Sequence, residues 1–238
     1  MKRFASLLLV ILLSAPAWAG DRQDEVGRLE DAGSILKEIW EAPDGGVPER
    51  VMTSAKCVAV VPSMLKGGFG WGGSYGKGVA TCRTETGAWS APAFFQVKGG
   101  SFGLQIGGEA VDLIMIIMDD RGMQALLSSK FKLGADASVA AGPVGRHAEG
   151  MTDWKLRAQV LTYSRARGVF AGVSLNGAAI HQDKDATRDF FGRMVRFKTI
   201  LTGVVPPPEG SAPFLTAVAR YSTPAEEESE KTAAGGKP

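Results

Sequence analysis

Cysteine and histidine are scarce in this chain, with two of each among 238 residues. Neither pair has metal-ligand spacing, and His147 and His181 each lack a nearby Asp, Glu or His partner set, so no resident metal and no cofactor are expected. Long apolar runs are also missing beyond the first twenty residues. The best is Val111 to Met118, which carries Asp112 and runs straight into Asp119-Asp120. It falls well short of the roughly 20 apolar residues that span a bilayer, so no transmembrane segment is expected after residue 19. Aromatic residues make up only 8% of the chain and are nowhere interleaved with Lys and Arg in a dense patch. With no recognised reader motif either, a nucleic-acid partner is not expected.

What is present begins at the N-terminus. Lys2 and Arg3 precede the apolar run Phe4 to Leu13, and Ala17-Trp18-Ala19 supplies small residues in an Ala-x-Ala pattern. This is the layout of a secretory signal, with cleavage expected after Ala19. The sequence therefore divides into a signal peptide at 1–19, one domain at 20–222 and a polar tail at 223–238. The expected location is a periplasm or the exterior, peripheral to a membrane. Export leads to an oxidising compartment, where a Cys57–Cys82 bridge is allowed. Both cysteines sit in strand-like runs that can be sheet neighbours; a bridge and two buried free thiols both stay open.

The net charge of +2 hides an uneven spread. Residues 21–50 hold nine acids against four bases, and 226–238 hold four acids against two. Residues 51–225 hold 19 bases against 12 acids, a basic body able to attract phosphate-bearing surfaces.

The elements read as α+β. Asp21 to Glu41 shows the apolar stripe of a helix, and Pro43-Asp44-Gly45-Gly46 stops it. From Cys57 the texture turns to short β-type segments at 57–61, 69–75, 79–83, 93–98 and 101–106, separated by Gly, Pro or polar turns. Leu113 to Met118 suits a strand buried on both faces. A helix capped by Asp119 or Asp120 follows, then a hairpin around Arg165 to Gly168. A helical region is expected from Asp183 to about Leu201, and a last helix from Ala212 to Arg220. This predicts one domain, a mostly antiparallel Gly-rich sheet flanked by N- and C-terminal helices.

Residues 67–78 carry seven glycines in twelve positions. Gly68-x-Gly70-x-x-Gly73 fits the dinucleotide fingerprint, and Gly72-x-Ser74-x-Gly76 fits the hydrolase elbow, with Asp153 and His181 following in order. Both motifs must join a strand to a helix, whereas Val79 to Cys82 reads as another strand. Ser74 is retained as the weakest candidate, a hydrolase nucleophile. Phe69, Trp71 and Tyr75 alternate on one side and suggest packing against a neighbouring element; a protein partner held through Phe69 and Trp71 or through the N-terminal helix is the reading of a structural envelope protein. Otherwise no catalytic residue is expected, and the chain is read as a non-enzyme.

The cations form a more coherent set. Lys66, Lys77 and Arg83 surround the Gly-rich segment, Lys98 sits at a turn, Arg146 follows Gly142 to Gly145, and Arg165 and Arg167 occupy the hairpin. Cations at turns can meet phosphates together. Met64 and Leu65, beside Lys66 in an expected loop, would add an apolar element suited to a membrane interface.

Five ordered blocks resemble one known family. They are Ala55 to Pro62 leading into Lys66 to Gly70, Trp89 to Pro92, Gly107 to Ile114, Ala141 to Arg146, and Tyr163 to Leu175. The chain is similar to the SYLF domain over about residues 28–221. The resemblance implies a lipid-binding module without catalysis; eukaryotic members bind phosphoinositides and some bind actin filaments. Lys56, Lys66, Arg146 and Arg167 are the cations that fall in matching blocks; Lys77, Arg83, Lys98 and Arg165 come from the charge argument. The expected partner is a phospholipid membrane surface.

Overall fold

The computed structural model describes residues 18–42, 46–128, 130–143, 158–166, 169–172 and 177–223. The predicted signal is thus mostly outside the described residues, as is the tail from 224 on. Helix α1 (Trp18–Trp40) buries Leu29, Ala32, Leu36 and Ile39, the three-and-four spacing that lines one helical face. Helix α2 (Glu49–Thr53) follows. No described helix is long and apolar enough to cross a membrane.

The centre of the molecule is a ribbon of two long strands, β1 (Cys57–Cys82) and β2 (Ala93–Ile117), paired antiparallel from Cys57 opposite Ile117 to Ala80 opposite Ala93. Five short segments and the strand from Leu113 were expected here, and the structure joins all six into two strands. The glycines do not end the strands, because the ladder continues through them with only two register shifts, at Val61/Met64 and Phe69/Trp71. Such shifts bend a strand without ending it.

The ribbon folds back so that the two ends of β1 lie side by side. Cys57 and Cys82 are bonded, with Cα atoms 4.0 Å apart, and the Arg83 amide donates to the Lys56 carbonyl at 2.8 Å. Further in, Gly76 faces Val61 and Met64, and Gly78 faces the Val60 carbonyl.

The remaining strands add to β2. Its end, Asp112 to Ile117, pairs with β5 (Val160–Ala166), while Phe95 to Lys98 pairs with β7 (Ala179–Gln182). The short β3 (Lys130–Lys132) lies outside β7, and β4 (Val139–Ala141) and β6 (Val169–Gly172) lie on β5. Among the described residues seven strands form one sheet, in which only β4 and β5 pair parallel.

Alternation along the strands makes two cores. Ala59, Val61, Phe95, Val97 and Met115 pack with Leu126 of α3 (Asp120–Leu127) and with Phe197 and Ile200 of α5 (Phe197–Leu201). Val58, Val60, Phe94 and Ile116 pack on the other side with α1, α2, Phe190 of α4 (Lys184–Phe191) and Phe214 of α6 (Ala212–Ser222). Each such buried Val, Leu, Ile, Phe or Met side chain contributes about 1.5–3 kcal/mol of transfer free energy. The domain is α+β, its sheet held between two helical layers, with N- and C-terminal helices on one side.

Local signals set most helix ends. Asp119 caps α3, its carboxylate accepting from the Gly122 amide at 2.7 Å. Asp183 caps α4 through the Ala186 amide at 3.2 Å. The continuous helix expected over 183–201 is instead two helices, broken at Gly192 with φ 67°. The Gln182 amide bridges the break, donating to the Val195 carbonyl at 2.8 Å and accepting from the Phe197 amide at 3.2 Å.

One carboxyl inside the α1–α4 contact has a consequence for stability. Glu25 is 4% exposed, paired with Arg28 at 2.6 Å. Burial, the largest cause, pushes its pKa up to about 7, with Arg28 and Lys77 opposing and Asp183 and Asp189 adding to the rise. Between the ordinary carboxyl value and about 7, the folded chain therefore holds a proton that the unfolded chain has lost. Folding stability must fall as pH rises through that window. The expected contribution is about 2 kcal/mol, and Glu25→Gln should remove it from the slope. Urea unfolding at pH 5 and pH 8 measures this; equal pH dependence in wild type and variant would contradict it.

Candidate functional site

The structure sorts the sequence-expected cations into struts and surface groups. Arg83 is a strut. Its Nε donates to the Ala55 carbonyl at 3.1 Å and Nη2 to the Ser222 carbonyl at 3.0 Å, while the guanidinium lies 4.6 Å over the Trp89 ring. Arg165 is another. Its Nε and Nη2 donate to Asp112 Oδ2 at 2.9 and 2.7 Å, and it also pairs with Glu38 of α1. The other Asp112 oxygen accepts from the Ser63 amide at 2.9 Å, holding the bulge where Ser63 takes a φ of 48°. Lys56 lies 3.4 Å from Asp120. Arg146 and Arg167 lie outside the described residues.

The expected apolar loop is not a loop. Met64 and Leu65 are inside β1, so alternation sends them to opposite faces. Met64 is wholly buried against Gly76, whereas Leu65 is 59% exposed. Only Leu65 reaches the surface.

Leu65, Lys66, Lys77 and Lys98 gather toward the folded end of the ribbon. Leu65 shares with Ser74, Tyr75 and Ala110 an open depression of about 510 Å³. Tyr75, expected to pack against a neighbouring element, is 42% exposed, and the Lys98 ammonium stands 5.8 Å from its ring centre. That distance is within cation–π range. Lys66 is opposite Glu109 in the ladder and is partly buried. Lys77 is exposed and 3.9 Å from Asp183, the buried cap of α4. The side chains of Phe69 and Trp71 are outside the described set.

Two further residues, Lys130 and Lys132, were missed by sequence reasoning. The ladder places Tyr75, Lys98, Ala179 and Lys132 in one row and Lys77, Gln96, His181 and Lys130 in the next. Lys130 and Lys132 are exposed, with Phe131 between them 3% exposed. The signal was the Lys-Phe-Lys alternation itself, whose period of two puts both ammonium groups on one face.

Ser74 lies mid-strand opposite Gly99, not at the strand-to-helix turn that a nucleophile elbow requires. Its register also sets it on the face away from His181, and Asp153 is outside the described residues. The hydrolase expectation therefore loses its geometry. The dinucleotide fingerprint fails likewise, because Gly68 to Gly73 lies wholly within β1. Among the described residues no group of three or more His, Cys, Asp or Glu is placed to hold a metal ion.

Fold and surface together define an α+β domain whose distinguishing feature is a lysine-rich sheet face with two exposed apolar side chains at its margin. A family model described as "Ysc84: Las17-binding protein actin regulator" matches residues 98–221. This chain belongs to that family, the Ysc84 or SYLF domain family. It is 37% identical over 183 residues to the SH3 domain-containing YSC84-like protein 1 of Rattus norvegicus, covering 74% of this chain and 54% of that protein. The Homo sapiens protein of the same name is also 37% identical, with 53% of its length covered. Protein YSC84 of Saccharomyces cerevisiae is 35% identical over 175 residues, which is 72% of this chain and 37% of the yeast protein. The chain spans about half the length of the animal relatives and less of the yeast one.

Proposed function

We propose that this domain is a non-enzymatic phospholipid-binding protein of a periplasm, associating with membrane headgroups through cations and an apolar margin at the folded end of its ribbon. The observation that carries the reading is the exposure of Leu65 and Tyr75 together, with Lys98 on the Tyr75 ring. An aliphatic and an amphipathic aromatic side chain beside an ammonium suit the boundary between headgroups and acyl chains. Family membership supports lipid association as a theme. Export is supported by the signal-like layout of residues 2–19 and by the Cys57–Cys82 bond, which suits an oxidising compartment. The actin-regulator description of the family is not carried over to this chain.

The test is sedimentation of the purified protein with anionic vesicles at low salt. Binding is expected, weakening as salt rises. Leu65→Asp should lower it about tenfold by removing one inserted side chain. Absence of binding at low salt, together with a stable protein complex recovered by crosslinking in the periplasm, would replace this reading with that of a structural envelope protein.

A further inference from the structure

We infer that the bare sheet face carrying Lys77, Lys98, Lys130 and Lys132 is the surface that lies against anionic phospholipid, with Leu65 and Tyr75 as its apolar edge. This rests on the lipid reading above and assigns it a specific face, half of which comes from β3 and β7.

Residues directly opposite one another in a ladder point to the same side. Tyr75, Lys98, Ala179 and Lys132 therefore share a side with Lys77, Gln96, His181 and Lys130. The row between them, Gly76, Val97, Ile180 and Phe131, faces the opposite way and is buried. One row further along the lysine side, Val79 and Phe94 are fully covered by helices. The helical layer stops there, and the four lysines occupy the uncovered ledge beyond it, all exposed. Of these four ammonium groups, only that of Lys77 has a described carboxylate within ion-pair distance, at 3.9 Å; the Asp136 carboxylate instead accepts from the Lys132 backbone amide at 2.7 Å.

The spacing selects the partner. Ala179 separates Lys98 from Lys132, and Gln96 with His181 separates Lys77 from Lys130, so the lysines form two pairs held at least two strands apart, roughly 10 Å, while Lys130 and Lys132, like Lys77 and Lys98, are roughly 7 Å apart. Spread in this way, they cannot all reach a single small phosphate, which could meet only one or two. A surface of repeated phosphates can meet all four. The adjoining Leu65 and Tyr75 favour a bilayer over a soluble polyanion, because they offer apolar contact on the same side.

His181 supplies an independent readout. The groups facing it are Lys130 from β3 and Gln96 and Lys98 from β2, with Lys77 one strand beyond. Asp183, two residues on, turns inward to cap α4. Burial and then Lys130 and Lys98 hold the imidazole below its ordinary range. An anionic surface that offsets those lysines lets His181 gain its proton, so docking must strengthen as pH falls.

The experiment compares sedimentation with phosphatidylglycerol–phosphatidylcholine vesicles at low salt for wild type, Lys130→Glu/Lys132→Glu and the control Arg193→Glu/Lys198→Glu, which changes the same charge elsewhere. The milder Lys130→Gln/Lys132→Gln covers any folding defect. Loss of affinity by roughly tenfold or more in the first pair, graded in the Gln pair and slight in the control, is the expected result. Wild-type binding should also rise severalfold from pH 8 to pH 5.5, and His181→Gln should flatten that rise. Equal binding by wild type and Lys130→Glu/Lys132→Glu overturns the assignment of this face while leaving lipid binding intact. No binding by wild type overturns both.

Discussion

Gly78→Ala is expected to destabilise the domain by about 3 kcal/mol, near the top of the range for overpacking a core. A Cβ at this position would lie 2.6 Å from the Val60 carbonyl oxygen, 2.6 Å from Phe95 Cζ and 2.8 Å from Val61 Cγ2. The first of these is backbone in the adjoining half of β1 and can move only if the folded ribbon opens. Phe95 and Val61 are both fully buried, so neither has free space to swing into. The gain from a stiffer unfolded chain, about 0.4–1 kcal/mol, is too small to offset this. Gly100→Ala is the matched control, since nothing lies within 4 Å of its added methyl. Urea midpoints for the two variants should separate clearly; similar midpoints would mean that the halves of β1 are not in close contact.

Removing the Cys57–Cys82 bond by Cys57→Ala/Cys82→Ala should cost about 3 kcal/mol, the loop-closure value for a separation of 25 residues. The bond joins the two ends of the longest strand, at the place where Arg83 also donates to Lys56. Both sulfurs are fully buried, so alanine additionally leaves a small void. The checks are guanidinium unfolding of the variant and of wild type with and without reductant. Reductant should lower the wild-type midpoint and leave the variant unchanged. A variant as stable as the oxidised wild type would show that hydrogen bonding alone closes the ribbon.

Much of the fold was legible where the deciding interactions are local. The Asp119 and Asp183 caps, the apolar stripe of α1 and the two-sided burial of Leu113 to Ile117 each depend on residues within a few positions. The fused strands were not legible, because what keeps Gly67 to Gly78 extended is β2, some thirty residues away, and what requires glycine at 76 and 78 is the far half of the same strand. The break at Gly192 was hidden for a similar reason: the Gln182 side chain, ten residues earlier, compensates for it.

The site shows the same division. Lys98 and Leu65 are exposed, though within strands and not at the turn and loop expected for them, and Met64 could not be told from Leu65. Which of the two points inward is fixed by the bulge at Pro62-Ser63, itself held by Asp112. Arg83 and Arg165 looked like surface cations because charge alone does not reveal that a guanidinium is occupied by backbone carbonyls or by Asp112 and Glu38. Lys130 and Lys132 went unnoticed because their neighbours in space, on β2 and β7, are distant in sequence.

The Arg165–Asp112–Ser63 chain gives the ribbon the mechanics of a cantilever. Its root is clamped to α1 through Glu38, and the bulge that it holds turns Leu65 outward. Tyr75 is braced separately, through Lys98, by β7. Loosening the clamp would therefore disturb the presentation of Leu65 while leaving the lysine rows seated on β7 and β3.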